Sequence, residues 1–420
     1  MRRTTVLPAT VLAASSLLLV ACGQGGPASD GDSGITDDAI VLGVLNDQSG
    51  VYAELSGKNS VEAVQMAVDD FLKKHGDDSV TDKITVVTAD HQNDPEIANT
   101  KAQELYDRQN ADIILDVPAS SAALAVATQA KAKKKLFINI TAATTELTNA
   151  QCNKYTFHYA YDTYMLANGT GNRLTKSGTK NWYIVYPDYA FGQDMNKSFS
   201  TAIEEAGGTI VKADPAPFPN DNFSTFMLKA PSLKPRPDVL GTMQAGGDLV
   251  NLAKQYNEFK LADKGIDLAV GLMFDTDIKS IGTDILAGTL YTTAWFWNLD
   301  DESRAWADRF KQRTGTRPTF AHAGNYSAAM QYLETVQEAG TDDADKVVAG
   351  LEGKKFDDFF IRNGEIRAED HRVVHDAYLA KVKETADVTE DFDFSDLVET
   401  IPADQAFKPV AETTCEMPPS

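Results

Sequence analysis

The sequence predicts an α/β protein of two doubly wound lobes, and three observations carry that expectation. From Ile40 onward short, almost continuously apolar β-runs alternate with amphipathic helical stretches, the pattern of parallel strands covered by helices on both faces. The same rhythm restarts at Trp182-Tyr183-Ile184-Val185-Tyr186, so two units of this size follow one another. No repeat of short fixed period runs through the chain, which removes a solenoid.

The elements follow in order. Ile40-Val41-Leu42-Gly43-Val44-Leu45 reads as a buried strand. A helix over 57–74 comes next, its apolar side formed by Val61, Val64, Met66, Ala67, Val68 and Leu72. Ile84-Thr85-Val86-Val87-Thr88 is the second strand, followed by a helix over 96–108. Ile113-Ile114-Leu115 opens the third unit and Leu136-Phe137-Ile138 the fourth. In the second lobe, Val239-Leu240-Gly241-Thr242-Met243 and Leu268-Ala269-Val270-Gly271-Leu272 continue the series. Residues 373–382 alternate as a further strand.

Ahead of the fold, Arg2 and Arg3 precede a mostly apolar run over 6–20. It is too short and too interrupted to span a bilayer, and it has the form of a secretory signal. Leu19-Val20-Ala21-Cys22-Gly23 looks like a bacterial lipobox, in which the cysteine is lipidated and cleavage falls before it. Residues 1–21 are therefore the expected signal, Cys22 the lipidation site, and the Gly/Ser/Asp-rich 22–37 a flexible tether. Several acyl chains on one residue anchor stably, whereas one binds only marginally.

The chain has formal charge −22, and loss of the two signal arginines leaves −24. Such a surface argues against nucleic acid or an anionic membrane face. The Lys131 to Lys135 cluster reads as a solvated helix end that favours the helix dipole. With Cys22 lipidated, Cys152 and Cys415 remain, and an oxidising compartment favours their pairing. In the chain-entropy model a loop that long is worth about 4–5 kcal/mol.

In doubly wound sheets ligands sit beyond the carboxyl ends of strands, against helix N-termini. Those segments here are Asn46 to Tyr52, Asp90 to Pro95, Pro118 to Ala122, Thr141 to Thr145 and Asp188 to Gly192. Each serine or threonine is also a good helix cap. Ser120 and Ser121 with Ala142 and Thr144, on neighbouring strands, converge hydroxyls and backbone N–H groups into a cradle for a carboxylate.

The strings Ser-Ser-Ala-Ala-Leu-Ala-Val and Ile-Thr-Ala-Ala-Thr-Thr-Glu-Leu-Thr resemble the leucine/isoleucine/valine-binding branch of the periplasmic solute-binding proteins. So do Ser49-Gly50 and Asp90 with Asn93-Asp94-Pro95, and the likeness extends over nearly all of 38–412. It implies a type I fold: two lobes joined by three crossings, closing like a hinged clamp. It also implies an ABC importer whose permease and ATPase subunits are partners, with no ATP bound by this chain. Carried over by position, Ser121 (with Ser120 beside it), Ala142 and Thr144 hold the ligand carboxylate, and Phe191 packs over the ligand.

Phe191 stands where the amino-acid binders have tyrosine. The crossing that usually carries an arginine reads Thr156-Phe157-His158-Tyr159-Ala160-Tyr161-Asp162. The nearest acid for an amino group is Asp275. Tyr52, Tyr164, Tyr189, Phe191 and Phe274 are a heavy aromatic set for a valine pocket. The segments around Tyr161 to Tyr164, Asp188 to Gly192 and Trp295 to Asp300 resemble an aromatic-acid subgroup, as does the cysteine pair. Aromatic acid and aliphatic amino acid both stay open as cargo.

His371 and His375 lie four apart among acids, but on a strand that spacing is too long to chelate one ion, so no metal is expected. No cofactor is expected either: Gly169-Thr170-Gly171 lacks the rest of a dinucleotide fingerprint, and no phosphate loop or nucleophile elbow occurs. The expectation is a binding protein, not an enzyme, with lobe one at 38–159 plus 287–365 and lobe two at 160–286 plus 366–420. A sensory module of the same fold and an exported hydrolase are the alternatives.

Overall fold

The computed structural model describes residues 34–417. The expected signal over 1–21, the Cys22 lipidation site and the tether up to residue 33 lie outside the described residues. The tether ends sooner than expected, because the Thr36 amide donates to the Asp342 carboxylate at 3.0 Å. Ile35 packs on the core.

The first sheet is parallel, in the order β2-β1-β3-β4-β5. Its strands are β1 (Ile40–Asn46), β2 (Ile84–Asp90), β3 (Ile113–Asp116), β4 (Leu136–Asn139) and β5 (Thr156–His158). β3 and β4 are buried at every position because helices cover both faces, whereas β2, at the edge, is half-exposed. Helices α1 (Gly57–His75), α2 (Pro95–Arg108) and α3 (Ser120–Lys133) follow β1, β2 and β3. The Asp94 carboxylate caps α2, accepting from the Glu96 and Ile97 amides. The register sets Asn46 beside Asp90, Asp116 beside Asn139, and Asn139 beside His158. A row of polar groups therefore lies along the carboxyl edge.

α4 (Thr163–Leu166) runs through a π-helical turn, Ala167–Gly171, into α5 (Asn172–Lys176). The second sheet, again parallel, has the order β7-β6-β8-β9, with β6 (Asn181–Pro187), β7 (Thr209–Ala216), β8 (Val239–Thr242) and β9 (Asp267–Val270). Its helices are α6 (Ala190–Glu205), α7 (Ser224–Lys229), α8 (Gly247–Glu258), α9 (Asp275–Ile281) and α10 (Thr283–Leu286).

β10 (Leu290–Thr293) packs on the π-helical turn, where a side chain at Gly169 would collide with Thr292. α11 (Asp301–Thr314), α12 (Phe320–Ala339) and α13 (Ala344–Leu351) return to the first unit, α12 lying along α1. β11 (Lys355–Phe356), β12 (Gly364–Ile366) and β13 (Val373–Val374) form a short antiparallel ladder. β14 (Ala377–Val382) and β15 (Ser395–Ile401) join β10 in a third sheet. The strand expected over 373–382 is thus broken, because His375 and Asp376 leave it between β13 and β14. β5 and β7 carried no clear signal: one is three residues long, the other a half-polar edge strand containing Pro215.

Two chain crossings lie side by side where β5 ends. The His158 amide donates to His371 O at 3.0 Å, and the Arg372 Nη1 donates to His158 O at 2.6 Å. The guanidinium missing from the first crossing is therefore supplied by Arg372. Its Nε lies 3.1 Å from Asp162, both residues being buried. His375 Nε2 bonds Ala160 O at 2.6 Å and His371 Nε2 bonds Glu352 at 3.0 Å, so the two imidazoles serve separate structural bonds. After α14 (Ala403–Ala406), Phe407 stacks under the Arg372 guanidinium at 4.2 Å. The chain then reaches the Cys152–Cys415 disulfide, whose cysteines lie 263 residues apart.

Burial pushes Arg372 down to about 10 and the Asp162 carboxyl up, in each case against the opposite charge. Removing one partner strands the other charge in a dry site, at about 3–5 kcal/mol. Arg372→Met should therefore cost about 3–5 kcal/mol in chemical denaturation. Arg372→Met with Asp162→Asn should cost less, since asparagine keeps the acceptor for the Met165 amide without the charge. A single-variant cost under about 1 kcal/mol, the range of exposed pairs, would remove the pair from this role.

Candidate functional site

The loop after β1 is shaped by Asp47. Its carboxylate accepts from the Gly50 amide at 2.6 Å and the Tyr52 amide at 2.8 Å, and from the Asn93 side chain. A side chain at Gly50 would push into Asn93 and Asp47, so the loop is tight and Tyr52 is delivered at a fixed point. There its hydroxyl meets that of Tyr189, 2.7 Å away across the cleft. The Tyr189 ring in turn stacks on Phe218 at 4.3 Å.

Between the two parallel sheets this arrangement leaves a cavity of only about 10 Å³. From the first unit Tyr52, Leu55, Pro118, Thr141 and Ala143 line it, and Tyr161 enters from the first crossing. Tyr189, Phe191, Leu272 and Phe274 close it from the second unit. Half of these side chains are aromatic and none is charged. Ligand pockets measure about 300–1,000 Å³, so with the lobes in this position the space is all but filled by its own side chains. The polar atoms at its wall are mostly used: Tyr161 donates to Thr141 O at 2.7 Å, and Thr141 donates to Asp116 at 2.6 Å.

Of the expected site residues, Tyr52, Tyr189 and Phe191 line the cavity. Ser120 and Ser121 open α3, two and three residues after Pro118. Ser120 is fully buried, and its hydroxyl has no hydrogen-bond partner. Ala119, at the cap position of α3, offers no side-chain acceptor.

Ala142 and Thr144 do not line the cavity; their neighbours Thr141 and Ala143 do. The Ala142 carbonyl is taken by Asn139 and His158 at 2.7 and 2.8 Å. Thr144 caps the 3-10 turn after it, accepting from the Glu146 amide at 3.3 Å. The chain still alternates sides here, and Ala142 and Thr144 fall on the side away from the cavity.

Asp275 is buried in the first turn of α9, off the cavity. Tyr164 faces a separate cavity beside α6 with Asp194 and Lys408. Trp295 and Trp297 are core, their indoles bonding Ser303 and Phe392 O. Gln244, after β8, was not anticipated. It is fully buried with neither amide atom partnered, and a lone glutamine after a strand gives no sequence signal.

Burial alone pushes Asp275 up to about 7. Asp277 also rises to about 7 through burial, although the Phe274 amide donates to it at 3.0 Å. His91 is pushed down to about 4 by burial, against the charges of Asp47 and Asp90. At neutral pH its buried ring is neutral.

The two units also touch through backbone. The Gly247 amide at the start of α8 donates to Val51 O at 3.3 Å. Gly246 has φ +58°, and a side chain there would strike Val51 O. Near the first crossing, Asp194 of α6 accepts from the Thr145 amide at 2.7 Å and the Thr163 hydroxyl at 2.7 Å.

Two α/β lobes with a small, aromatic cavity between their strand ends define a ligand-binding protein of the two-lobe, type I class. The chain belongs to the periplasmic binding protein family, whose model matches residues 39–387. It is 25% identical over 326 residues to the Leu/Ile/Val-binding protein homolog 6 of Brucella melitensis, across 76% of this chain and 81% of that protein. A crystal structure of a periplasmic binding protein from Burkholderia mallei is 40% identical with TM-score 0.86, covering 90% of this chain and 99% of that one. A branched chain amino acid ABC transporter periplasmic ligand-binding protein from Burkholderia xenovorans LB400 is 36% identical with TM-score 0.79, at the same coverage.

Gly246→Ala should hold the lobes apart. Spin labels placed one on each lobe should show a longer, broader distance distribution by double electron–electron resonance. Gly247→Ala is the control, since a side chain there meets only ordinary contact at 3.8 Å. Equal distributions for the two variants would remove Val51 as the stop.

The raised acid gives a second test. A carboxyl whose folded pKa exceeds its unfolded value binds its proton more tightly when folded. Its ionisation therefore destabilises the fold progressively as pH rises from about 4 through about 7. Asp275→Asn should melt progressively higher than the natural chain between about pH 5 and pH 8, by a few degrees at the upper end. A difference that does not change with pH would contradict the buried, raised carboxyl.

Proposed function

We propose that this chain is the lipid-anchored solute-binding component of an ABC importer, and that its lobes close on a small carboxylate with an aromatic body. The closed form is what the permease reads, and the partner ATPase subunits supply the energy. The observation that carries this is the cavity wall: aromatic, uncharged, and next to an uncapped helix start with a buried free hydroxyl. The first amides of α3 and the Ser120 hydroxyl are donors, and a carboxylate is an acceptor suited to them.

An amino acid would bring an ammonium as well. No acid lines the cavity, and Asp275 lies off it with a pKa near 7. The names of the Brucella and Burkholderia xenovorans relatives favour the second reading, a branched-chain amino acid. Anchoring rests on Leu19-Val20-Ala21-Cys22 in the sequence. The proposed lobes are 38–159 plus 287–365 and 160–286 plus 366–420. β10 straddles them, following residue 287 yet pairing with β14.

Thermal-shift screening separates the two cargoes. A micromolar aromatic carboxylate at millimolar concentration should stabilise by about 4 kcal/mol. Ser120→Ala should weaken that binding about tenfold while leaving the ligand-free melting temperature in place. A shift with leucine or valine and none with benzoate-type acids overturns the aromatic reading.

A further inference from the structure

We infer that the groove between α4, α6 and the end of the chain is a second ligand site, taking a zwitterion of dipeptide size. A cavity of about 320 Å³ lies there, and ligand pockets begin at about that volume. It shares no lining residue with the cavity between the strand ends. One face of α6 forms its long wall, where Asp194, Lys197, Thr201 and Glu205 follow at helical spacing. Tyr164 of α4 and Asn168 of the π-helical turn stand opposite. Lys408 and Glu412 enter from the strap over 408–415, past α14.

The charges select the ligand. Lys197, Glu205, Lys408 and Glu412 line one space, yet none of them makes an ion pair among the described residues. A simple anion would meet two carboxylates there, and a simple cation two ammonium groups. A molecule bearing both charges can answer each side with its opposite. Lys197 and Glu205 are eight residues apart on α6, about 12 Å along its axis. The charges of the ligand must therefore stand several bonds apart, as in a dipeptide or an ω-amino acid. Tyr164 marks the acidic end: burial raises its phenol, against the Asn168 hydrogen bond, and the Glu412 and Glu205 charges add to the rise. The ammonium belongs at that end and the carboxylate towards Lys197.

Both units contribute to the wall. Thr145, from the first, lines the cavity, and its amide donates to Asp194 of α6 at 2.7 Å. The strap also ends on the first unit. The Thr413 hydroxyl donates to Thr148 O at 2.8 Å, the Thr414 amide donates to Asn149 at 3.2 Å, and Cys415 is bonded to Cys152. α6 itself begins at the cleft, where Phe191 lines the cavity between the strand ends. A zwitterion held between α6 and the strap fastens the second unit to the first while they are together. It therefore strengthens cargo binding, a coupling that rests on the proposed closing of the lobes on cargo.

The test is isothermal titration of the full-length protein with glycylglycine and 6-aminohexanoate, propionate and propylamine serving as singly charged controls. The zwitterions should bind, and the controls should bind about tenfold more weakly. Lys197 and Glu205 are exposed on their helix, so Lys197→Gln and Glu205→Gln should leave the fold intact. Each should weaken the zwitterions about tenfold and leave benzoate binding, measured alone, unchanged. In the natural chain saturating glycylglycine should raise benzoate affinity about fivefold, and benzoate should raise glycylglycine affinity by the same factor. Failure of both zwitterions to bind, affinities unchanged in both variants, or displacement of glycylglycine by benzoate overturns the second site. Binding that leaves benzoate affinity unchanged overturns the fastening of the units. Should benzoate not bind the natural chain while leucine does, the cargo reading fails by itself. The second site is then judged by the same variants with leucine as cargo.

Discussion

The buried pair of Arg372 and Asp162 is the constraint on which the rest depends. It ties two distant stretches of chain at the point where the lobes join, and its charges have no route to water. The Arg372 guanidinium also holds the His158 carbonyl and rests on Phe407. Because a cation already sits there, His158 and His375 are held neutral by burial and by that charge. Their rings then bond backbone oxygens of Ala142 and Ala160. One ion pair thus organises both chain crossings, and it links them to Ala142 beside the cavity wall.

The contacts across the cleft are of another kind. A phenol pair, one backbone hydrogen bond to Val51 and the Asp194 contacts join the lobes. A neutral hydrogen bond is worth about 0.5–1.5 kcal/mol net, whereas breaking a buried ion pair costs about 3–5 kcal/mol. The hinge is therefore the firm element and the cleft the yielding one. That ordering is what a clamp requires. The disulfide reinforces it, since Cys415 fastens the end of the chain to Cys152 in the first unit.

Much of the fold was legible because parallel strands buried on both faces leave unbroken apolar runs. β1, β3, β4, β6 and β8 all stand where such runs occur. Tyr52, Tyr189 and Phe191 were legible for a related reason, since each follows directly on a strand end. Of the expected cradle, Ala142 and Thr144 do not line the cavity. Thr144 looked attractive for its hydroxyl, but only the actual alternation after β4 decides which side faces in, and it favours Thr141 and Ala143. Tyr164 went astray because α4 begins at Thr163 and turns it to the outside. The Trp295 segment is core, and a sequence cannot separate aromatic core from aromatic pocket. Gln244 and Arg372 gave no signal, since each acts through neighbours far away in the chain.

The unpartnered groups near the strand ends explain how such a clamp can be poised. With the lobes together, the Ser120 hydroxyl and both ends of the Gln244 amide are buried without protein partners. A buried polar group left unsatisfied costs about 1–3 kcal/mol. In the proposed mechanism that cost falls on the closed form. A ligand that supplies the missing acceptor removes part of that penalty in the closed form alone. Differential affinity of this kind is the sole means by which a ligand can shift a two-state equilibrium. On the proposed function these buried groups couple occupancy to closure, and filling them with protein partners should close the clamp without cargo.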